Sequence, residues 1–298
     1  MDTLPNHIFQ RRLKANLNHI NPTDLKYITN RVNYYNKLNT DFEITGSYYK
    51  KLYQLKRNTK ESSSYYFDLK MVTRYFPQTL ALNYLFADVT HIPETPTIVK
   101  SRPISNNNQN SVILKLDSVR HYYVEPDIYQ FDEKINKAVW RGVAHQPWRI
   151  EFLEQYYDHP RCDVGDTDRK QRLTKLVKDY LTIQEQLKYK YLVSLEGVDV
   201  ATNLKWIMQS NSLCMMRKPR FETWFMEGTL IPGVHYVELK EDHSDLIEKM
   251  DYYDQHPEEA KIIIQNAKDY ANQFYNHSQE RLISLLVLKK YFEKSGQI

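Results

Sequence analysis

"KYKYLVSLEGVDVATNLKWIMQSNSLCMM", Lys188 to Met216, decides the fold. "YLVSLEG" reads as a buried strand ending in a turn, Val200 to Gln209 as a helix, and "SLCMM" as a second strand. That is a βαβ unit, the usual cradle for a nucleotide, but without the glycine-rich fingerprint that seats phosphates in the dinucleotide-binding version.

The flanking sequence repeats the theme. "INKAVWRG" is an apolar strand ending at Arg141-Gly142, and Pro147 suits the first turn of the helix "PWRIEFLEQYY". Leu173, Leu176, Val177, Tyr180 and Leu181 recur at helical spacing. Thr182 and Glu185 form a capping box before the strand at Lys188. After "SLCMM" come a predicted helix "ETWFMEG", the strand "HYVEL" and terminal helices. The helix after Pro257 places Ile263, Ala267, Tyr270, Ala271 and Phe274 on one face. Alternating strands and helices predict an α/β fold with a parallel, doubly wound sheet.

At 298 residues the chain suits two domains of about 130–150 residues each. The boundary is predicted near Asp132, giving domains over 1–132 and 133–298. The first half is less regular. It looks helical to about Asn39, with a second helix in "SSSYYFDLKMVTRYF" and a buried strand "TLALNYLFADV" ending at Asp88.

Lys and Arg number 41 against 37 Asp and Glu, an excess too small for a dedicated nucleic-acid binder. The basic excess is partly local, in "RRLK" near the start and "KKLYQLKRNTK" from Lys50 to Lys60. Such clusters are commonly solvated faces, and they also suit an anionic membrane surface or a phosphorylated acceptor. Two cysteines, Cys162 and Cys214, make no disulfide framework, and Cys214 in its apolar run is expected to be buried. "MDTLPNHIFQRRLKANL" has no apolar core of a signal peptide, and the longest apolar stretch, Leu282 to Leu288, is too short to span a bilayer. A cytoplasmic protein is expected.

Ligands of open α/β sheets sit beyond the carboxyl ends of the strands. Arg141, Gly142 and Arg149 follow the first strand of the second half, and arginine forks suit a diphosphate. Equally, Arg149 can be a solvated helix residue and Arg141 a partner of a structural carboxylate. Gly197 supplies the next turn and Asp199 is placed to cap its helix, whose first amides would favour an anion. Thr202 and Lys205 lie off the apolar face of that helix; Lys205 either adds charge to a phosphate or snorkels. Glu222 either favours the dipole of the helix it opens or accepts from ribose hydroxyls.

In the first half Asp88 ends an apolar strand before "VTHIPETP", whose prolines stiffen the exit. A carboxylate held there is either a turn cap or a general base toward a hydroxyl. Lys100 and Arg102 in "KSRP" suit an anionic ligand, while His91 and His121 lack partners visible in the sequence. "DTD", Asp166 to Asp168, has the form of a metal-binding pair but sits where caps are common. No Cys/His cluster has zinc spacing.

Three segments, "WRGVAHQPWR", "KYKYLVSLEGVDVATNLKWIMQSNSLCMM" and "ETWFMEGTLIPGVHYVELKEDHSDL", resemble glycosyltransferase family 90, which includes CAP10-like capsule proteins and protein O-glucosyltransferases. The likeness covers roughly Lys137 to Leu288. "DVTHIP", "PTIVKSRPI", "LKLDSVRHYY" and "EGVDVATNLKWIM" are similar to the bacterial branch that builds lipopolysaccharide or lipooligosaccharide cores. The resemblance implies a GT-B fold: two Rossmann-like domains facing across a cleft, with the C-terminal helix packing back on the N-terminal one. It further implies metal-independent, inverting transfer of a hexose, glucose or galactose, from a UDP-sugar to a lipid-linked core oligosaccharide. Asp88 matches the position of the catalytic base, and Arg141, Gly142, Arg149, Gly197, Thr202, Lys205 and Glu222 fall on nucleotide-binding motifs. His91, Lys100 and Arg102 are carried as acceptor or donor-sugar candidates.

One departure stands out. Relatives often carry Ser and Arg two apart in the helix after the glycine, where this chain has Ala201 and Asn203. The diphosphate is therefore expected to rely on Arg141, Arg149, Lys205 or the helix amides. No cofactor or nucleic acid is expected; a peripheral contact with the inner face of the cytoplasmic membrane is. The rival readings are a capsule-glycan or protein-serine acceptor, and a non-catalytic binder of anionic glycans.

Overall fold

The structure, a computed structural model, describes Phe9 and residues 22–57, 63–168 and 175–298. The "RRLK" cluster, Lys60, Ser62 and Leu173 lie outside the described residues. In chain order the described elements are α1 (Pro22–Tyr35), β1 (Lys50–Lys51), α2 (Ser63–Thr73), β2 (Ala81–Leu82), β3 (Tyr84–Leu85), β4 (Thr97–Val99), β5 (Arg102–Pro103) and β6 (Ser111–Ile113). There follow α3 (Ser118–His121), β7 (Ile135–Gly142), α4 (Pro147–Tyr156), β8 (Cys162–Asp166), α5 (Ile183–Gln186), β9 (Tyr189–Val193) and α6 (Leu204–Ile207). The last are β10 (Leu213–Arg217), β11 (Phe221–Glu222), β12 (Val237–Leu239), α7 (Leu246–Gln255), α8 (Pro257–Asn272) and α9 (His277–Lys294). No described helix is long and apolar enough to cross a membrane.

The chain divides into two compact units. Unit 1 comprises Met1–Arg120, Arg220–Met226 and Phe274–Ile298; unit 2 comprises His121–Pro219 and Glu227–Gln273.

Unit 2 is built on a five-stranded sheet in the order β12-β10-β9-β7-β8, parallel at every pairing. Its strands are apolar runs because both faces are covered, and Val139, Tyr191, Val193, Leu213 and Met215 are all buried. Pro147 opens α4 as expected, and the Thr182 hydroxyl and Glu185 carboxylate close the capping box at α5. Cys214 is buried, and burial raises its thiol's pKa. Read from the β8 edge, with β7, β8, β9, β10 and β12 counted as 1 to 5 in chain order, the strands run 2-1-3-4-5, so the chain reverses its direction of winding between β7 and β9. That gap is the topological switch point, where open α/β sheets bind their ligands.

Unit 1 holds a three-stranded parallel sheet, β3-β4-β6, and two short antiparallel pairs, β1-β2 and β5-β11. Here α9 packs on α1 and α2, burying Ile283, Leu285, Val287 and Leu288. The Trp224 ring stacks on Tyr35 at 3.8 Å, and its indole N–H donates to Glu280, which also pairs with Arg31. These contacts hold Arg220–Met226 and the C-terminal helix to unit 1.

Several expected elements differ. The apolar run before Asp88 is two strands rather than one: β2 pairs antiparallel with β1 and β3 pairs parallel with β4, the chain changing partners at Asn83. No α-helix forms over Glu222–Gly228, because Glu222 pairs in β11 with Arg102 of β5 and Met226 takes a positive φ of 57°; only a 3-10 turn follows, over Glu227–Thr229. Residues 175–181 are turn and bridge, not helix, with Val177 bridging to Asp166. The helix predicted from Val200 is shorter, a single turn over Leu204–Ile207.

Candidate active site

At the carboxyl edge of the unit 1 sheet, three residues past β3, stands Asp88. Lys100, immediately after β4, forms an ion pair with its Oδ1, and Tyr65 on α2 donates to the same oxygen at 3.3 Å. Parallel pairing of β3 with β4 brings the two strand exits side by side, which explains how residues twelve apart meet. Lys100 is 3% exposed, whereas Asp88 is 35% exposed, so the carboxylate keeps one side toward solvent. Burial alone would raise its pKa, but the charge and hydrogen bond of Lys100, the charge of Arg120 and the Tyr65 hydroxyl leave it below the ordinary carboxylate value. Asp88 is thus ionised and accessible, the state required of a base that accepts a hydroxyl proton. His91 stands exposed nearby in sequence.

The other unit 1 candidates are part of the framework. Arg102 is fully buried; it donates to Glu222 at 2.7 Å and to the carbonyls of Tyr34, Tyr35 and Ser111. Glu222 also accepts from the Tyr34 hydroxyl. This knot ties β5 and β11 to the end of α1.

In unit 2 the switch-point loops are joined by one side chain. Arg149, in the first turn of α4, donates to the carbonyls of Glu196 (2.9 Å), Leu195 (2.8 Å) and Val143 (2.8 Å), spanning the exits of β7 and β9. The Trp148 indole reinforces it with a 2.9 Å bond to Glu196 O. Burial lowers the Arg149 pKa to about 10, opposed by Glu196. A guanidinium has five N–H groups, and three of them are engaged in these bonds among the described residues. Gly197 leaves room for this arginine, since a Cβ there would lie 3.3 Å from Arg149 Nη2; at Gly142 a Cβ would meet the Trp140 ring at 2.8 Å.

Arg141 points elsewhere. A strand side chain leaves through a face of its sheet, and on that face Arg141 binds Asp163 Oδ1 at 2.7 Å and the carbonyls of Asp163, Asp179 and Trp140. Burial opposes ionisation of Asp163, but Arg141, Tyr189 and Lys178 bring it to about 2. The pairing with a structural carboxylate is therefore the arrangement present. Asp166 is likewise a cap, accepting the amides of Ala144 and Asp168.

Lys205 is fully buried rather than on a flank, and pairs at 2.6 Å with Glu227, itself 1% exposed. Asp199 accepts from the Val200 amide at 2.6 Å, five residues before Leu204 begins α6, so it does not cap that helix. Asn203 instead links the turn to β9, donating to Val193 O and accepting from the Ser194 hydroxyl, with Thr202 half-buried beside it.

Sequence reasoning passed over Arg217, at the carboxyl end of β10, which faces Glu196 at 3.6 Å and Glu241 at 3.4 Å. Its place just beyond "SLCMM" could have marked it. Tyr65 and Arg120 were also missed, having no spacing that connects them to Asp88.

The model of glycosyl transferase family 90 matches residues 114–291. The chain is 48% identical over 272 residues to O-glucosyltransferase LpsA of Dichelobacter nodosus, covering 91% of this chain and 85% of that protein. It is 27% identical to human protein O-glucosyltransferase 3 over 171 residues, 55% of this chain and 33% of that protein. Zebrafish protein O-glucosyltransferase 2 shares 26% over 147 residues, 47% and 29% of the two chains.

Proposed function

The chain belongs to glycosyltransferase family 90, and from that premise we propose that it is an inverting enzyme moving a hexose from a UDP-sugar to a core sugar of a lipid-anchored oligosaccharide. The observation that carries this reading is the half-exposed Asp88 carboxylate, held ionised by Lys100 and Tyr65 at the carboxyl edge of a parallel sheet. The likeness to an O-glucosyltransferase favours glucose over galactose. GT-B is the fold class that goes with this reading.

The acceptor hydroxyl oxygen attacks C1 of the sugar as the bond from C1 to the diphosphate oxygen breaks. Asp88 takes the hydroxyl proton, and UDP leaves with the bonding pair. Positive charge placed where negative charge develops lowers the barrier. We assign that role in unit 2 to the remaining N–H groups of Arg149 and to Arg217, over the turns at Gly142, Gly197 and Thr202. Arg141 and Lys205 support the sheet and α6 from within. The reaction is expected to need no metal, and the enzyme to work at the inner face of the cytoplasmic membrane.

Thermal unfolding with UDP tests the donor assignment. At UDP a hundredfold above its dissociation constant, the protein should gain about 2.7 kcal/mol, with or without magnesium. No stabilisation in either condition would favour a non-catalytic glycan binder.

A further inference from the structure

The basic segment before α2 has no part in the chemistry above. From Tyr48 to Arg57 the sequence is "YYKKLYQLKR", four cations with no carboxylate. Only Leu52 and Leu55 are buried, at 0% and 6% exposure, and they fasten the segment to unit 1. Lys50, Lys51, Tyr53, Lys56 and Arg57 all face solvent, Tyr53 at 58%. The patch continues onto α2, where Arg57 lies over the Phe67 ring at 5.7 Å and donates to the Ser63 hydroxyl at 2.9 Å. Phe67 and Met71, one helical turn apart, are 43% and 40% exposed, and Tyr48 is 44% exposed.

Cations alone describe a solvated face. Here they are interleaved with exposed aromatic and apolar side chains, which gain free energy when an apolar phase covers them. Tyrosine, with an apolar ring and a polar tip, suits the headgroup level of a bilayer, and lysine and arginine suit anionic lipid. A soluble phosphorylated glycan would engage the charges but leave Phe67 and Met71 in water.

We propose that this face of unit 1 docks on an anionic lipid bilayer, with Tyr53 and Phe67 inserted at headgroup level and Lys50, Lys51, Lys56 and Arg57 against the lipid phosphates. The surface would bring a soluble catalyst to a lipid-anchored acceptor; only that purpose rests on the proposed function.

Co-sedimentation of the whole chain with vesicles, without nucleotide, tests the proposal independently of the donor. Binding is expected to phosphatidylcholine vesicles containing phosphatidylglycerol, and to be far weaker to phosphatidylcholine alone. Each of K50Q, K51Q, K56Q and R57Q should lower the partition coefficient about fivefold. The double variant Y53S/F67S should lower it at least about tenfold. Unchanged melting of each variant shows that it is folded. Equal binding of wild type and the combined variant K50Q/K51Q/K56Q/R57Q would overturn the proposal. So would a loss confined to the charge variants with Y53S/F67S unaffected, which would identify a site for a soluble polyanion.

Discussion

Asp88→Asn is expected to lower kcat for sugar transfer about a thousandfold while leaving stabilisation by UDP unchanged. The amide keeps the size of the carboxyl and can still accept from Tyr65, but it cannot take the acceptor's proton. The Lys100 ammonium, 3% exposed, then faces a neutral partner. Asp88→Asn/Lys100→Met removes that buried charge as well and separates lost chemistry from lost folding. Transfer at the wild-type rate in Asp88→Asn would refute the base assignment. The pH profile supplies the second half of the test. A base must be ionised, so activity should persist through neutral pH and fall only as pH drops through a pKa below the usual aspartate value of about 3.9. Lys100→Met removes the main ionic influence holding that pKa down. Burial then dominates, and the acid limb of kcat/KM should move to higher pH.

Lys205→Met should destabilise the protein by about 3–5 kcal/mol, because it breaks a buried ion pair by removing one of its two partners. For a chain of this size the midpoint of thermal unfolding should fall on the order of 10 °C. Glu227→Gln should act in the same direction. The double variant Lys205→Met/Glu227→Leu should recover most of the loss, since two apolar groups need no partner. A Lys205 that bound the donor diphosphate would behave differently: its removal would weaken UDP binding with little change in melting. Calorimetry with and without UDP on the single variant distinguishes the two.

What the sequence makes legible follows the physics of burial. The strands β7, β9 and β10 announce themselves because both faces of a parallel sheet must be apolar. Pro147 and the Thr182–Glu185 box are local signals with local causes, and both are present. Unit 1 is hard to read because its strands run only two or three residues, too short to show a period. Its C-terminal additions depend on contacts such as Tyr35 with Trp224, 189 residues apart. Side-chain partners are the least legible. Lys205 reads as a flanking lysine until Glu227 is found beneath it, and Arg141 reads as a strand-end cation until Asp163 is seen on the same sheet face. Asp88 is the converse case: its apolar strand and stiff exit placed it at a sheet edge, but Lys100 and Tyr65 had to be brought there by β4 and α2.

The central claim is direct displacement at the sugar's C1 with Asp88 as base. Time-resolved proton NMR of UDP-α-glucose turnover, with water as acceptor and a chelator present, tests it most directly. β-Glucose should appear first, ahead of mutarotation, and Asp88→Asn should abolish its formation. α-Glucose as the first product, or no turnover until a divalent metal is restored, would contradict it.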